Sequence, residues 1–365
     1  MSRFKGKAIE AEIFGGSREK SVGVKIKGLS GFSFDEKELN GFLGRRKPSD
    51  KFFSTERKES DKPIFLSGLS LSDGKIDGEL TCEILNEDAK NTEKSRFIGI
   101  PRPSHADYVR YLTSGETNFS GGGEFSGRMT APYSVLGGIC KQILEKSFGV
   151  KIRAYLVRVG GATGDGYYNS DINKIFNEKE YVFCEKNGFL SLSDADKMLS
   201  EIEKAKLSGD SVGAEIECVV KNAPAGLGGS LFGGLEGKIA YLTYAIPAVK
   251  SVEFGLGNKL SEKYGSEAND GMRYDENGRV VFISNHSGGI DGGISNGNDI
   301  VFRATVKPAP TISKQQKTVD LINKQNVEVN FCGRNDSCVG VRAVPVVESA
   351  AAIALLDEIL SKTAK

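Results

Sequence analysis

Histidine is scarce in this chain, with two in 365 residues. One of them, His105, lies in Arg102-Pro103-Ser104-His105-Ala106-Asp107-Tyr108. An imidazole between an arginine and a carboxylate is equipped to move a proton near neutral pH. A short way downstream runs Gly121-Gly122-Gly123-Glu124-Phe125-Ser126-Gly127-Arg128-Met129-Thr130-Ala131-Pro132. Glycines let backbone N–H groups converge on an anion, and a helix expected just beyond adds its dipole. The spacing is not that of a dinucleotide-binding or P-loop motif. Asn285 to Gly297 carries two Gly-Gly pairs among serines and asparagines, and one short strand leads from it to Lys307-Pro308-Ala309-Pro310-Thr311. Gly333-Arg334-Asn335-Asp336-Ser337 places an arginine two residues from a carboxylate, ahead of Val341-Arg342-Ala343-Val344-Pro345. These segments suit an acidic ligand held by cations beside groups that exchange protons.

Positioning such loops requires a rigid frame, and the hydrophobic pattern supplies one. Strands are expected over 9–14, 22–27, 150–159, 214–221, 280–284 and 300–306, several with apolar and polar residues in alternation. Helices are expected over 132–146, 193–207, 235–246 and 347–360, the second opened by a capping box from Ser193 and Asp196. Residues 44–63 read as a long basic loop. Strands come in groups with helices between them, which argues against a doubly wound parallel sheet and for one α+β domain over 1–365.

Composition narrows the function classes. The net charge of +1 gives no reason to expect nucleic acid or a membrane surface, although Arg45, Arg46 and Lys47 form a local cationic run. No apolar stretch is long enough to span a bilayer, and the N-terminus shows no signal peptide. The six cysteines lack the paired spacing of zinc sites, so no metal is expected. Scattered thiols fit a reducing cytoplasm.

In order and spacing these segments resemble the chorismate synthase family. Arg45-Arg46-Lys47-Pro48, Thr55-Glu56-Arg57-Lys58-Glu59, Asn86-Glu87-Asp88 and Gly209-Asp210-Ser211-Val212-Gly213 add to the likeness, as do Ile246 to Lys250 and Gly265 to Asp270. The resemblance runs essentially end to end. It implies long helices sandwiched between antiparallel β-sheets in a homotetramer. It also implies conversion of 5-enolpyruvylshikimate 3-phosphate to chorismate and phosphate. That reaction is a 1,4-anti elimination with no net redox change that nevertheless needs reduced FMN, with NADPH or another reductant to reduce it.

Residue by residue, the resemblance implies flavin contacts at Glu124, Phe125, Ser126, Pro247, Ala248, Gly292, Lys307, Pro308, Ala309, Pro310, Thr311, Arg334 and Arg46. Lys307 and Thr311 correspond to the flavin-phosphate partners. Arg46, Arg57, Arg102, Arg128, Arg334 and Arg342 are the supply of cations for the two carboxylates and phosphate of the substrate. His105 corresponds to the histidine that protonates the reduced flavin, and Asp336 to the aspartate that helps remove the substrate proton. Ser126 joins them.

The sequence departs from the family at four places. Gly15-Gly16-Ser17-Arg18-Glu19 stands where the family has Gly-Glu-Ser-His-Gly, so Arg18 replaces the histidine that assists phosphate departure. An arginine holds phosphate as a cation but cannot donate a proton at neutral pH. Asn335 and Ser337 alter the family's Gly-Arg-His-Asp-Pro. Glu124 stands where many members carry arginine, and Phe52 near a basic residue that touches the reducing nucleotide. The expectation is a working enzyme with a modified phosphate pocket and an external reductant. The alternative is a diverged FMN- or substrate-binding relative with low or altered activity.

Overall fold

Alternation builds the first sheet: Val22, Val24 and Ile26 are buried while Lys25 and Lys27 face solvent. The computed structural model describes residues 2–47, 55, 59–87, 97–119, 121–177, 189–331, 333 and 336–363. Strands β1 (Ser2–Lys5), β2 (Glu10–Gly15), β3 (Ser21–Lys27), β4 (Pro63–Leu69) and β5 (Ile76–Leu85) form an antiparallel sheet in the order β1-β2-β3-β5-β4. Val24 lies opposite Ile13 on one side and Cys82 on the other. Helix α1 (Glu36–Gly44) leaves β3, and α2 (Asp107–Ser114) and α3 (Thr130–Phe148) follow the sheet.

A second sheet repeats the logic. It is built from β6 (Lys151–Val159), β7 (Ala162–Thr163), β8 (Ala214–Lys221) and β9 (Val249–Phe254), with α4 (Ala195–Leu207), α5 (Leu235–Tyr244) and the short α6 (Gly265–Ala268) interleaved. Two small hairpins come next, β10 (Met272–Tyr274) with β11 (Val280–Phe282), and β12 (Ile290–Asp291) with β13 (Ile294–Ser295). Strand β14 (Ile300–Val306) then enters the sheet, whose order is β7-β6-β8-β14-β9, again antiparallel. The hairpin β15 (Gln316–Asp320) and β16 (Gln325–Val329) precedes α7 (Gly340–Thr363).

Helices α3 and α7 lie side by side between the sheets, α3 against β3 and β5, α7 against β6, β8 and β14. Helix α7 is apolar nearly all round, as a helix enclosed by protein must be. The helices approach closely enough that a Cβ on Gly137 would collide with Ser349. Three acids on α7 are nonetheless buried. Glu348 accepts from Arg45 Nη1 and Nη2 at 3.1 and 2.8 Å, from Ala154 N at 2.9 Å, and from Lys141. Burial opposes its ionisation, but Arg45 and Lys141 hold it well below the ordinary carboxylate range. Burial also pushes Lys141 down to about 8, against the pull of Glu348. Asp357 accepts from the backbone N–H groups of Lys7, Ala8 and Ile9 at 3.0, 2.8 and 2.9 Å. Glu358 pairs with Lys7 at 3.0 Å and with Lys238.

The expected layer architecture is the one observed, and most expected elements fall within a few residues of their ranges. Two differ for physical reasons. No capping box opens α4: its N-cap is Asp194, in the left-handed region without a side-chain cap bond, and Ser193 Oγ instead accepts from Asp165 N. Helix α7 begins at Gly340 rather than Val347 and carries Pro345 inside it. Of the 44–63 segment, residues 48–54 and 56–58 lie outside the described residues. Cys82, Cys140, Cys218 and Cys338 are buried free thiols. Among the described residues, no helix is long and apolar enough to cross a membrane.

Candidate active site

The His105 turn is fixed before its ring is considered. Ser104 takes a left-handed φ of 56°, His105 N donates to Arg102 O at 3.2 Å, and α2 starts at Asp107. The β15–β16 hairpin braces the turn from behind. Thr318 Oγ1 donates to Pro101 O at 2.6 Å, and Leu321 N donates to Gly99 O at 2.9 Å. Asp107 is almost fully buried and takes both arms of Arg102, Nε at 2.7 Å and Nη2 at 2.8 Å. It also faces His105 Nδ1 at 2.6 Å. Burial works against the Asp107 charge, yet these partners outweigh it and hold the acid well below the ordinary range. An ionised Asp107 only accepts, so its 2.6 Å contact favours the proton on His105 Nδ1 over acceptance there from Arg102 Nη2 at 3.2 Å.

Arg102 ties this turn to two other segments. Its Nη2 donates to Gly121 O at 2.8 Å, and its Nη1 lies 3.4 Å from Thr311 Oγ1. Lys307 reaches the same turn, donating to Ser104 O at 2.5 Å. Burial and the neighbouring charge of Lys250 lower its pKa, and no carboxylate forms an ion pair with it among the described residues. Ala309 O accepts from Ser211 Oγ at 2.7 Å, and the next residue, Val212, donates through N to Ser337 O at 2.8 Å. The 209–213 turn thus links the Lys307–Thr311 segment to Asp336 and Ser337.

A second group of cations surrounds Asp61, which is fully buried with φ 51°. Arg46 Nη2 is 2.8 Å from Asp61 Oδ2, and Arg128 Nη1 bonds Oδ1. The Arg46 contact is close but poorly aligned, so Nη2 and Oδ2 lack a hydrogen bond, and among the described residues Arg46 Nε has no hydrogen-bond partner. Burial lowers the Arg46 pKa to about 10 despite Asp61. Arg342 donates through Nε to Arg46 O at 2.8 Å and pairs with Asp336 at 2.6 Å, while Asp336 Oδ1 accepts from Thr55 N at 3.0 Å. Asn86 joins the two groups: its Oδ1 accepts from Arg128 Nε at 2.7 Å, and its Nδ2 donates to Gly16 O and Glu19 O at 3.0 and 2.8 Å. That clamp fixes the 15–19 turn bearing Arg18, which lies beside Gly121 and reaches Glu116 at 3.8 Å.

The structure therefore gathers His105, Arg102, Ser126, Lys307 to Thr311 and Arg18, and places Arg46, Arg128, Arg342 and Asp336 in an adjoining group. Ser126 caps the short turn that leads into α3 by accepting from Arg128 N at 3.2 Å. Pro247 and Ala248 enter through the Lys307 N to Ala248 O bond of 2.9 Å, with Ala248 at φ 73°. Glu124 and Phe125 flank Arg110. Gly292 sits on the β12–β13 hairpin at the head of α5, and no described contact joins it to the His105 turn. Arg57 and Arg334 lie outside the described residues. Arg128 differs from the expected substrate cation. Its donors are taken by Asp61, Asn86 and Leu85 O. Asp61, Arg110 and Glu116 carry no sequence signal that singles them out.

A family profile described as chorismate synthase matches residues 9–360. The chain belongs to the chorismate synthase family. It is 40% identical over 364 residues to the chorismate synthase of Thermococcus gammatolerans, spanning 99% of this chain and 98% of that relative. It is 38% identical to that of Methanocaldococcus jannaschii, spanning 96% and 94%. A crystal structure of a chorismate synthase superposes with a TM-score of 0.74 at 23% identity, covering 98% of this chain and 93% of the other, which shows the shared fold. The family activity is a lyase reaction of the shikimate pathway: 5-enolpyruvylshikimate 3-phosphate loses phosphate and becomes chorismate.

Proposed function

We propose that this chain carries out the elimination between the His105 turn, the 121–126 loop and the Lys307–Thr311 segment, with reduced FMN as its cofactor. One observation carries the reading: among the described residues, cations of this region and of the adjoining Arg46 group keep donors that no acid completes. Among the described residues, Lys307 faces Lys250 without a carboxylate of its own, Arg18 has one distant partner, and Arg46 keeps a buried Nε without a hydrogen bond. Buried donors without acceptors are costly unless an anion completes them. Lys307 and Thr311 fit a flavin phosphate, and Pro308 to Pro310, Pro247, Ala248 and Glu124 to Ser126 fit its ring and chain, with Gly292 and Arg334 as further candidates. Bound reduced FMN supplies electron density to the reacting allylic system.

The residues of the chain then divide the remaining work. Arg46 and Arg342 present donors to the substrate carboxylates, with Arg57 and Arg334 as further candidates. Arg18 neutralises the leaving phosphate by charge alone. His105 keeps one proton at Nδ1 for Asp107 and exchanges another at Nε2. Asp336, held by Arg342 and Thr55, is the carboxylate assigned to the substrate proton. Arg102 and Arg128 serve as struts: the first aligns the His105–Asp107 pair, the second braces Asp61 and Asn86.

Phosphate release under anaerobic conditions with chemically reduced FMN tests the assignment. Arg18→Ala is expected to lower kcat/KM by about 10²-fold, the scale of one lost donor to developing charge. If neither the native chain nor Arg18→His releases phosphate, the enzymatic reading is wrong. Unchanged turnover in Arg18→Ala would remove Arg18 from the mechanism.

The same reading includes one domain, a cytoplasmic setting and dependence on NADPH or another external reductant. It also includes a homotetramer. Leu231, Phe232, Tyr264, Met272, Tyr274 and Ile283 are exposed, which favours burial between subunits. Light scattering of the purified chain tests the tetramer.

A further inference from the structure

Two arginines and two glutamates meet at the lip of the site, and they share their charges unevenly. Arg110, on α2, places Nη2 2.5 Å from Glu124 Oε2 and Nε 3.2 Å from Glu116 Oε2. Its guanidinium carbon sits 5.8 Å from the Phe125 ring centre. Gly123, at φ 55°, packs against the Arg110 guanidinium, which a Cβ there would displace. Arg18 is placed differently. Its side chain is 31% exposed against 12% for Arg110, its one ion pair is the 3.8 Å contact to Glu116, and it makes no hydrogen bond among the described residues. Both carboxylates act on Arg18 all the same, since Glu116 and Glu124 each raise its pKa against the lowering by burial and by Arg110. Remove the Arg110 charge, and Arg18 remains as a cation on which both acids act.

We propose that Arg110 is a positioning residue that draws Glu116 and Glu124 away from Arg18 and so keeps the Arg18 donors open to a phosphate. This rests on the assignment of Arg18 to the departing phosphate. It adds a reason why a loop bearing Glu124, an acid beside an anion site, is compatible with binding. The carboxylate is neutralised by a dedicated partner rather than by the cation the phosphate needs. Like charges left free there would repel the anion.

The test uses the full chain and inorganic phosphate as probe, read by calorimetric titration at low salt and by competitive inhibition of turnover. Arg110→Met keeps the apolar stem over Phe125 and removes the charge; Arg110→Gln is a second variant should the first not fold. Phosphate affinity is expected to fall about tenfold or more in either. The triple variant Arg110→Met/Glu116→Gln/Glu124→Gln is expected to return to within about threefold of native, because the acids that capture Arg18 are then gone. Native affinity in Arg110→Met overturns the inference. So does a triple variant as weak as the single, which would mean that Arg110 only packs the loop. Arg18→Ala separates the two levels. If it binds phosphate as tightly as the native chain, the Arg18 assignment falls and the inference with it. If it weakens binding while Arg110→Met does not, only the inference falls.

Discussion

Arg45 and Arg46 are consecutive residues at the end of α1, and their guanidiniums sit in opposite electrostatic settings. Arg45 gives two donors to Glu348, whose oxygens also receive Lys141 and the Ala154 N–H. That cluster is closed, with each oxygen of the acid claimed. Arg46 shares Asp61 with Arg128, has Arg342 alongside, and among the described residues keeps Nε without a hydrogen-bond partner. Buried ion clusters are tolerable only when fully satisfied. A closed one reads as architecture and an open one as a place for an anion. The same contrast separates Asp357, saturated by three backbone N–H groups, from Lys307, which has a carbonyl and a repelling lysine.

The sharpest way to break this contrast is to perturb each side and look for effects on the other. His105→Ala should slow phosphate release by about 10²–10⁴-fold and lower the melting temperature far less than Glu348→Gln, because Asp107 keeps both arms of Arg102; a large drop in melting temperature with intact turnover would make His105 part of the frame. Glu348→Gln should do the reverse, costing about 3–5 kcal/mol of stability by stranding Arg45 and Lys141. Chemical denaturation measures that loss, and KM for substrate should stay near native in the folded fraction.

Acid titration sharpens the second case. The native Glu348 carboxyl lies far below the ordinary range, so the unfolded chain takes up its proton first, near about pH 4.3. The stabilisation is whole above that pH and drains as pH falls towards the native value. The gap in melting temperature between the native chain and Glu348→Gln should therefore narrow below about pH 4; a constant gap would contradict it.

Smaller effects probe the open side. Lys307→Ala should weaken binding of oxidised FMN about tenfold, less at high salt, as followed by flavin fluorescence. Salt-independent binding in the native chain would speak against a phosphate there. Ala248→Gly should raise stability by about 1 kcal/mol, since only glycine adopts φ 73° without strain. A lower melting temperature would show that the methyl group is needed against Lys307.

Alternation made β3, β6 and β14 legible in the sequence, and a full apolar stripe made α3 legible. The start of α7 was not. Gly340 and Pro345 look like loop residues, yet the surrounding sheets hold Gly340 to Val346 in the helix because their burial outweighs the cost of an interior proline. At the site, His105, Arg102 and Asp107 stand close in sequence, and their association could be read from it. Asp61 could not, because a single aspartate in a polar stretch gains meaning only when folding sets it between Arg46 and Arg128. For the same reason Arg128 read as one of the cations for the substrate. Its partners Asn86 and Asp61 are 42 and 67 residues away.

The Asp357 clamp has a consequence for synthesis of the chain. The three N–H groups that it satisfies belong to residues 7–9, about 350 positions earlier. On the ribosome the first strands emerge long before α7 exists, so the turn between β1 and β2 must wait for α7 before these donors meet their carboxylate. Closure of this turn therefore waits on the synthesis of about 350 further residues, and chains truncated before Asp357 would be the natural clients of chaperones.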